Sequence, residues 1–195
     1  MLRLATPEDA PGVLAIYAPV VEHTAISFEE VPPSVEEMAG RIAGTVAKRP
    51  WLVCEIDGTI AGYAYAAAHR ERAAYRWCVE PSAYVHEGYR RRGVAQVLYT
   101  ALFAALQAQG FYNAYAGITL PNDASIALHR RMGFTPIGEY QCSGYKHGRW
   151  HSTSWWQRTL RAHDTAPEEP LSMDALRVLP DWADALAEGA ALLRR

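Results

Sequence analysis

Apolar residues recur at spacings of three and four between residues 94 and 109, at Val94, Val97, Leu98, Ala101, Leu102, Ala105 and Leu106. That period lays an apolar stripe along one face of an α-helix. Gly110 is placed to end the helix. Ahead of it, "LRLA" reads as a short strand and "TPEDAPGVLAIYAPVVEH" as a helix, with Thr6 as N-cap, Pro7 at the first helical position and acids in the first turn. "SVEEMAGRIAGTVAKR" repeats the start signal, since Ser34 and Glu37 have the spacing of a capping box. In "WLVCEIDGTIAGYAYAAA" two strand-like runs flank Asp57 and Gly58, a pair that suits the positive φ of a tight hairpin turn. "AAYRWCVEPSAYV" is another extended run, and Pro81 within it implies a bulge or an unpaired edge because proline has no N–H for a ladder.

Beyond the long helix, "YNAYAGITL" reads as a strand, "NDASIALHRRM" as a short helix closed by Gly133, and "FTPIGEYQCS" and "WHSTSWWQRTL" as two further strands. From His163 the composition changes. "HDTAPEEP" has the look of a linker, and "MDALRVLPDWADALAEGAALLRR" that of a tail helix interrupted by Pro180. The expected class is α/β, with a mixed, mostly antiparallel sheet flanked by helices. Residues 1–162 form one domain in this reading and 163–195 a linker with a helical extension.

Composition narrows the partners more than the fold. A chain of 195 residues, half of them apolar, suits one compact domain. A formal charge of -2 without a basic excess gives no reason to expect nucleic acid or an acidic membrane surface. Cys54, Cys78 and Cys142 are odd in number, well separated and in no CxxC pair, so neither a disulfide framework nor a metal site is expected. A reducing cytoplasm is the expected location. "MLRLATPEDAPG" turns polar after four residues. The apolar stretches are also shorter than the roughly 20 residues of a membrane span, so neither export nor insertion is expected.

The chemistry begins at "EGYRRRGVAQ", where Arg90, Arg91, Arg92 and Gly93 precede the long helix. A helix start has up to four N–H groups without helical partners and the positive end of the macrodipole, which together suit a phosphate. Gly93 lets a bulky anion approach the main chain, Ala95 keeps the next inward turn small, and arginine adds charge-assisted bonds. The same run is also consistent with a solvated charged helix start. No GxxxxGK[ST] and no GxGxxG occurs between a strand and a helix, so P-loop and dinucleotide-binding readings are excluded.

"RRRGVA" resembles the pyrophosphate loop of the GCN5-related N-acetyltransferases (GNAT), in which Gln or Arg, two variable residues, Gly, one variable residue and Gly or Ala precede the long helix. The order of elements is similar as well. Within that superfamily, "RPWLVCEIDGTIAGYAYA", "VEPSAYV", "LYTAL", "AQGF", "LPNDASIALHRRMGF" and "GYKHGRWHSTSWWQ" resemble the phosphinothricin and methionine sulfoximine acetyltransferase branch. The likeness covers about residues 2–160 and leaves the tail out. It implies the GNAT fold, a sheet splayed open to admit acetyl-CoA as cosubstrate, and transfer of acetyl to the amine of a small amino-acid-like molecule by direct attack. A homodimer is implied too.

The resemblance assigns residues to each task. Amides from Arg91 to Gln96, thus Arg91, Arg92, Gly93, Val94, Ala95 and Gln96, would cradle the pyrophosphate. Tyr84 and Val85 would pair with the pantetheine through their main chain, and Asn122, also a good N-cap, would touch the cofactor. Glu80 corresponds to the branch's glutamate and would accept a proton from the amine, whose reference pKa is about 8. His129 stands where many relatives carry a tyrosine that protonates the leaving thiolate, so it is the candidate acid, although a lone histidine is more often a packing or hydrogen-bonding residue. Ser125 and His129 are not a hydrolase pair, because GxSxG is absent.

For the acceptor, Arg70 and Arg72 in "HRERAAYRW" would bind a carboxylate or phosphinate. Phe28, Tyr75 and Trp77 would wall the pocket, and "KHGRW", with Lys146, His147 and Trp150, would form a turn near the acceptor or the dimer contact. No cysteine in the matched motifs has an activating base, so a covalent intermediate is not expected. Three alternatives stay open at this level: a peptide or polyamine acceptor, a non-catalytic acyl-CoA-binding protein, and a partner-binding role for the tail.

Overall fold

The computed structural model describes residues 1–164 and 166–193. Seven strands form one sheet: β1 (Leu2–Leu4), β2 (Trp51–Ile56), β3 (Thr59–Ala68), β4 (Cys78–Val85), β5 (Asn113–Thr119), β6 (Thr135–Lys146) and β7 (Arg149–Thr159). Their spatial order is β1-β2-β3-β4-β5-β7-β6. Every neighbouring pair is antiparallel except β4 and β5. The helices are α1 (Ala10–His23), α2 (Val35–Val46), α3 (Val94–Gln109), α4 (Asp123–Arg131), α5 (Met173–Arg177) and α6 (Pro180–Ala191).

The local signals act as read. The Ser34 N–H donates to the Glu37 carboxylate at 2.7 Å and the Glu37 N–H to the Ser34 hydroxyl at 3.1 Å, closing the capping box of α2. Asp57 and Gly58 take φ of 50° and 74°, the mirror-image turn that joins β2 to β3. The first helix is preceded by a short 3-10 turn, Pro7–Asp9, in which the Asp9 carboxylate accepts from the Thr6 N–H at 2.8 Å.

The sheet has a core on each face. α3 lies on one side, where Leu98, Leu102, Phe103 and Leu106 are almost fully buried with Ala64, Val79 and Ala116 of the strands. Burying each such large side chain is worth about 1.5–3 kcal/mol, which holds α3 down along its length. α1 and α2 cover the other face through Val13, Tyr17, Met38 and Ile42 against Trp51, Val53 and Tyr63.

Two expectations change in detail. The strand β6 runs on to Lys146, past the end read for it, and meets β7 in a tight turn at His147 and Gly148, with φ of 50° and 76°. Pro180 does not interrupt one helix. It occupies the first turn of a separate one, α6, where its missing N–H costs nothing. α5 and α6 pack back on α3, burying Met173, Leu176 and Ala185 with Ala105.

Candidate active site

β4 and β5 pair at Cys78–Asn113 and Val79–Ala114 and then separate, although β4 runs on to Val85 and β5 to Thr119. Pro81 sits where the strands part, so the edge that opens there has one N–H fewer to satisfy. The His86 N–H donates to the Ala61 oxygen at 3.0 Å and the His69 N–H to the Cys78 oxygen at 3.4 Å. Even-numbered positions around β4 thus turn their main chain to β3, and alternation turns Ala83 and Val85 into the gap. Val85 lines the opening, where the sequence placed a main-chain contact with the pantetheine. Tyr84 is corrected in one respect: its main chain pairs with β3, opposite Tyr63, while its half-buried ring packs against Tyr17 and Tyr63 and lines the cleft.

The gap continues into a cleft of about 590 Å³ lined by Val85, Arg91, Gly93, Val94, Ala95 and Gln96, and across it by Asn122, Ser125, His129 and Arg131 of the α4 segment. At its mouth Arg91 and Gly93 adopt φ of 61° and 84°. The first helical bond of α3 runs from the Val97 N–H to the Gly93 oxygen at 3.0 Å, which leaves the N–H groups of Val94, Ala95 and Gln96 without helical partners. No side chain caps them and no acid occupies the first turn. A β-carbon at Gly93 would meet nothing within 4 Å, so the space above the turn is open. Free donors, a dipole end, arginines and room together fit a diphosphate. Arg92 is not among the lining residues, and its guanidinium lies 5.5 Å from the centre of the ring of Tyr89, which is.

Asn122 caps α4, its side-chain oxygen accepting from the Ser125 N–H at 3.1 Å. His129 is 5 % exposed. Its Nδ1 lies 2.8 Å from the Ser125 main-chain oxygen, which only accepts, so Nδ1 carries the proton. Nε2 then faces the Tyr99 hydroxyl at 3.4 Å as an acceptor. Burial holds the imidazole below its ordinary value and keeps it neutral. In this state His129 has no N–H directed toward Tyr99, and the Tyr99 hydroxyl is the proton-bearing member of the pair. Burial pushes the Tyr99 phenol up. Tyr99 went unnoticed in the sequence because it lies inside an apolar helix that reads as core throughout.

On the opposite face of the sheet, the Glu80 carboxylate lies 2.7 Å from His69 Nδ1 and 3.7 Å from the Arg70 guanidinium. His69 stacks on Tyr115 at 4.4 Å, and Tyr75 approaches it edge to face at 5.9 Å. Arg70 also sits over Trp155 at 5.9 Å. Glu80, Arg70 and Tyr75 are therefore brought together, whereas Arg72 is exposed and forms no ion pair among the described residues. Trp77 is corrected: its Nε1–H donates to the Glu168 oxygen at 2.8 Å, so its ring is tied to the tail segment instead of walling a pocket. His69, Tyr115 and Trp155 were not singled out by the sequence, since they come from three different strands or loops.

Phe28 lies against the β6–β7 hairpin. A β-carbon at Gly144 would fall 2.5 Å from Cζ of its ring, so only glycine admits the ring there. Lys146 explains how the Phe28 loop is held. The buried ammonium donates to the oxygens of Val21, Ser27 and Glu29 at 2.6, 2.8 and 2.6 Å, using all three of its protons. Burial pushes the Cys78 thiol up, away from nucleophilic use.

A sheet opened between two parallel strands, with an anion-seating turn at the opening, defines the class to which these residues point. Residues 2–155 match the acetyltransferase (GNAT) domain, and the chain belongs to that family. It is 38 % identical over 170 residues to the phosphinothricin N-acetyltransferase of Streptomyces viridochromogenes, covering 87 % of this chain and 92 % of that one. It is 36 % identical over 171 residues to the L-methionine sulfoximine/L-methionine sulfone acetyltransferase of Pseudomonas paraeruginosa, covering 85 % and 98 %. Among solved structures, the phosphinothricin acetyltransferase of Sinorhizobium meliloti in complex with AcCoA superposes with a TM-score of 0.83 at 38 % identity, covering 87 % of this chain and 93 % of that one.

Proposed function

We propose that the chain moves the acetyl group of acetyl-CoA to the amine of a small amino-acid-like acceptor of the phosphinothricin or methionine sulfoximine type. The observation that carries this is the opening between β4 and β5 with the unpartnered amides of Val94, Ala95 and Gln96 at its mouth. The activities of the phosphinothricin and methionine sulfoximine acetyltransferase relatives support the substrate class.

In this reading Arg91, Gly93 and the three amides hold the diphosphate, with Asn122 and Arg131 across the cleft. The thioester supplies an activated acetyl group. Main-chain N–H groups of Ala83 and Val85 line its path, and one donor aimed at a developing oxyanion is worth about 3 kcal/mol of barrier. Glu80, on the acceptor side, drives removal of a proton from the incoming ammonium, and Arg70 and Tyr75 face the acceptor's acidic end. The departing thiolate is protonated through the Tyr99–His129 pair. No acetyl-enzyme forms, because Cys78 lacks a base. Detoxification of amino-acid-like inhibitors is the role that follows, and the cytoplasm, where acetyl-CoA is made, is the place. No described helix is long and apolar enough to cross a membrane.

We also propose a homodimer. β6 is an edge strand, and Ile137, Tyr140 and Tyr145 on it are exposed together with Trp150 of β7. Light scattering on the purified chain tests this, and a monomer at micromolar concentration would reject it.

The decisive experiment for activity measures thiol release with a panel of amines. Phosphinothricin and methionine sulfoximine should react fastest. A peptide or a polyamine reacting as fast would move the substrate class, and acetyl-CoA binding without release from any amine would leave a non-catalytic acyl-CoA-binding protein.

A further inference from the structure

Glu80 does not stand alone. Its Oε1 is 2.7 Å from Nδ1 of His69, the residue after β3, and 3.7 Å from the Arg70 guanidinium. A carboxylate that already receives an N–H and faces a guanidinium has part of its accepting capacity taken. The His69 ring is held on three sides, stacked on Tyr115 at 4.4 Å and met edge to face by Tyr75 at 5.9 Å and Trp155 at 6.3 Å. Its side chain is 11 % exposed. With Nδ1–H directed to Glu80, Nε2 carries the lone pair, and it forms no hydrogen bond among the described residues.

These are the parts of a histidine general base: a carboxylate that sets the tautomer and steadies the imidazolium, an Nδ1–H between them, and a free Nε2.

We propose that His69 Nε2 takes the proton of the acceptor's ammonium and that Glu80, through Nδ1–H, acts as a positioning residue for it. The inference rests on the acetyl-transfer reading above. One N–H proton passes to Nε2, giving neutral amine and imidazolium. The amine then forms the C–N bond as the C–S bond breaks, its second proton leaves with the thiolate as thiol, and His69 returns its proton to solvent. The groups that face the ring are Glu80 from β4, Tyr115 from β5, Tyr75 from the loop, uncharged Trp155 from β7 and Arg70 beside it.

The test uses the full chain with acetyl-CoA and phosphinothricin. His69→Phe keeps an aromatic ring in the stack and removes both nitrogens. Its kcat/KM should fall about 100-fold or more near neutral pH, the size of a lost general base. The deficit should shrink toward pH 9, where free amine becomes plentiful, and acetyl-CoA affinity by calorimetry should stay within about twofold. His69→Ala should regain activity with added imidazole. A His69→Phe enzyme within about threefold of wild type, or one equally impaired at every pH with no imidazole rescue of His69→Ala, overturns the pair while leaving acetyl transfer standing. A wild-type chain that acetylates no amine overturns the functional reading, and the pair with it.

Discussion

The hydroxyl of Tyr99 lies 3.4 Å from Nε2 of His129, and that contact joins α3 to α4 across the inner end of the cleft. Because Nδ1 of the imidazole is committed to the Ser125 oxygen at 2.8 Å, the proton shared between the two side chains is the phenolic one. Tyr99→Phe should therefore lower kcat by about 100-fold, the lower end of what one positioned proton donor contributes. Steady-state kinetics with a calorimetric acetyl-CoA titration separate this from a binding defect, and an unchanged kcat would remove Tyr99 from proton delivery.

The burial of His129 also sets a pH dependence of stability. Its imidazole is held below the ordinary 6.5 in the folded chain, so the unfolded chain binds the proton first as pH falls. Stability from this group is complete above about pH 6.5 and declines below it, until the folded pKa is reached. Thermal melts of wild type and His129→Gln between about pH 7.5 and 5 should show a shallower decline for the variant. Parallel declines would assign the acid sensitivity elsewhere.

Lys146→Met should be costly for stability. The variant leaves the oxygens of Val21, Ser27 and Glu29 without their donor, and each buried orphan costs about 1–3 kcal/mol. A total of about 3 kcal/mol corresponds to a fall in Tm of about 6–12 °C for a chain of this size. A melt within about 2 °C of wild type would mean that water replaces the ammonium.

Gly144→Ala should act on the acceptor and not on acetyl-CoA. The new methyl group overlaps the Phe28 ring, which must swing off the hairpin. The expected signature is a rise in KM for the amine of about tenfold, equivalent to about 1.4 kcal/mol, at constant acetyl-CoA affinity. Wild-type KM for the amine would show that Phe28 has no part in that wall.

At the turn, Gly93→Ala places a β-carbon at φ 84°. The left-handed conformation costs an L-residue about 1–2 kcal/mol, so a fall in Tm of a few degrees is expected, accompanied by weaker coenzyme A binding. Binding at wild-type strength would place the diphosphate away from this turn.

What the amino-acid order determined alone is what depends on near neighbours. The bounds of α3 follow from a 3.6-residue period and two glycines, the start of α2 from Ser34 and Glu37, the hairpin from Asp57 and Gly58, and the cap of α4 from Asn122. The turn at Gly93 was legible for the same reason, since a donor-rich helix start is written in consecutive residues. The tertiary structure decided the rest. It placed β7 between β5 and β6, set Tyr99 against His129 thirty positions away, joined His69 to Glu80, and gave Lys146 three oxygens more than a hundred residues distant. Helix periods and caps are local preferences of a few residues. A buried proton's partner is fixed only when desolvation, over the whole folded sheet, leaves it one place to go.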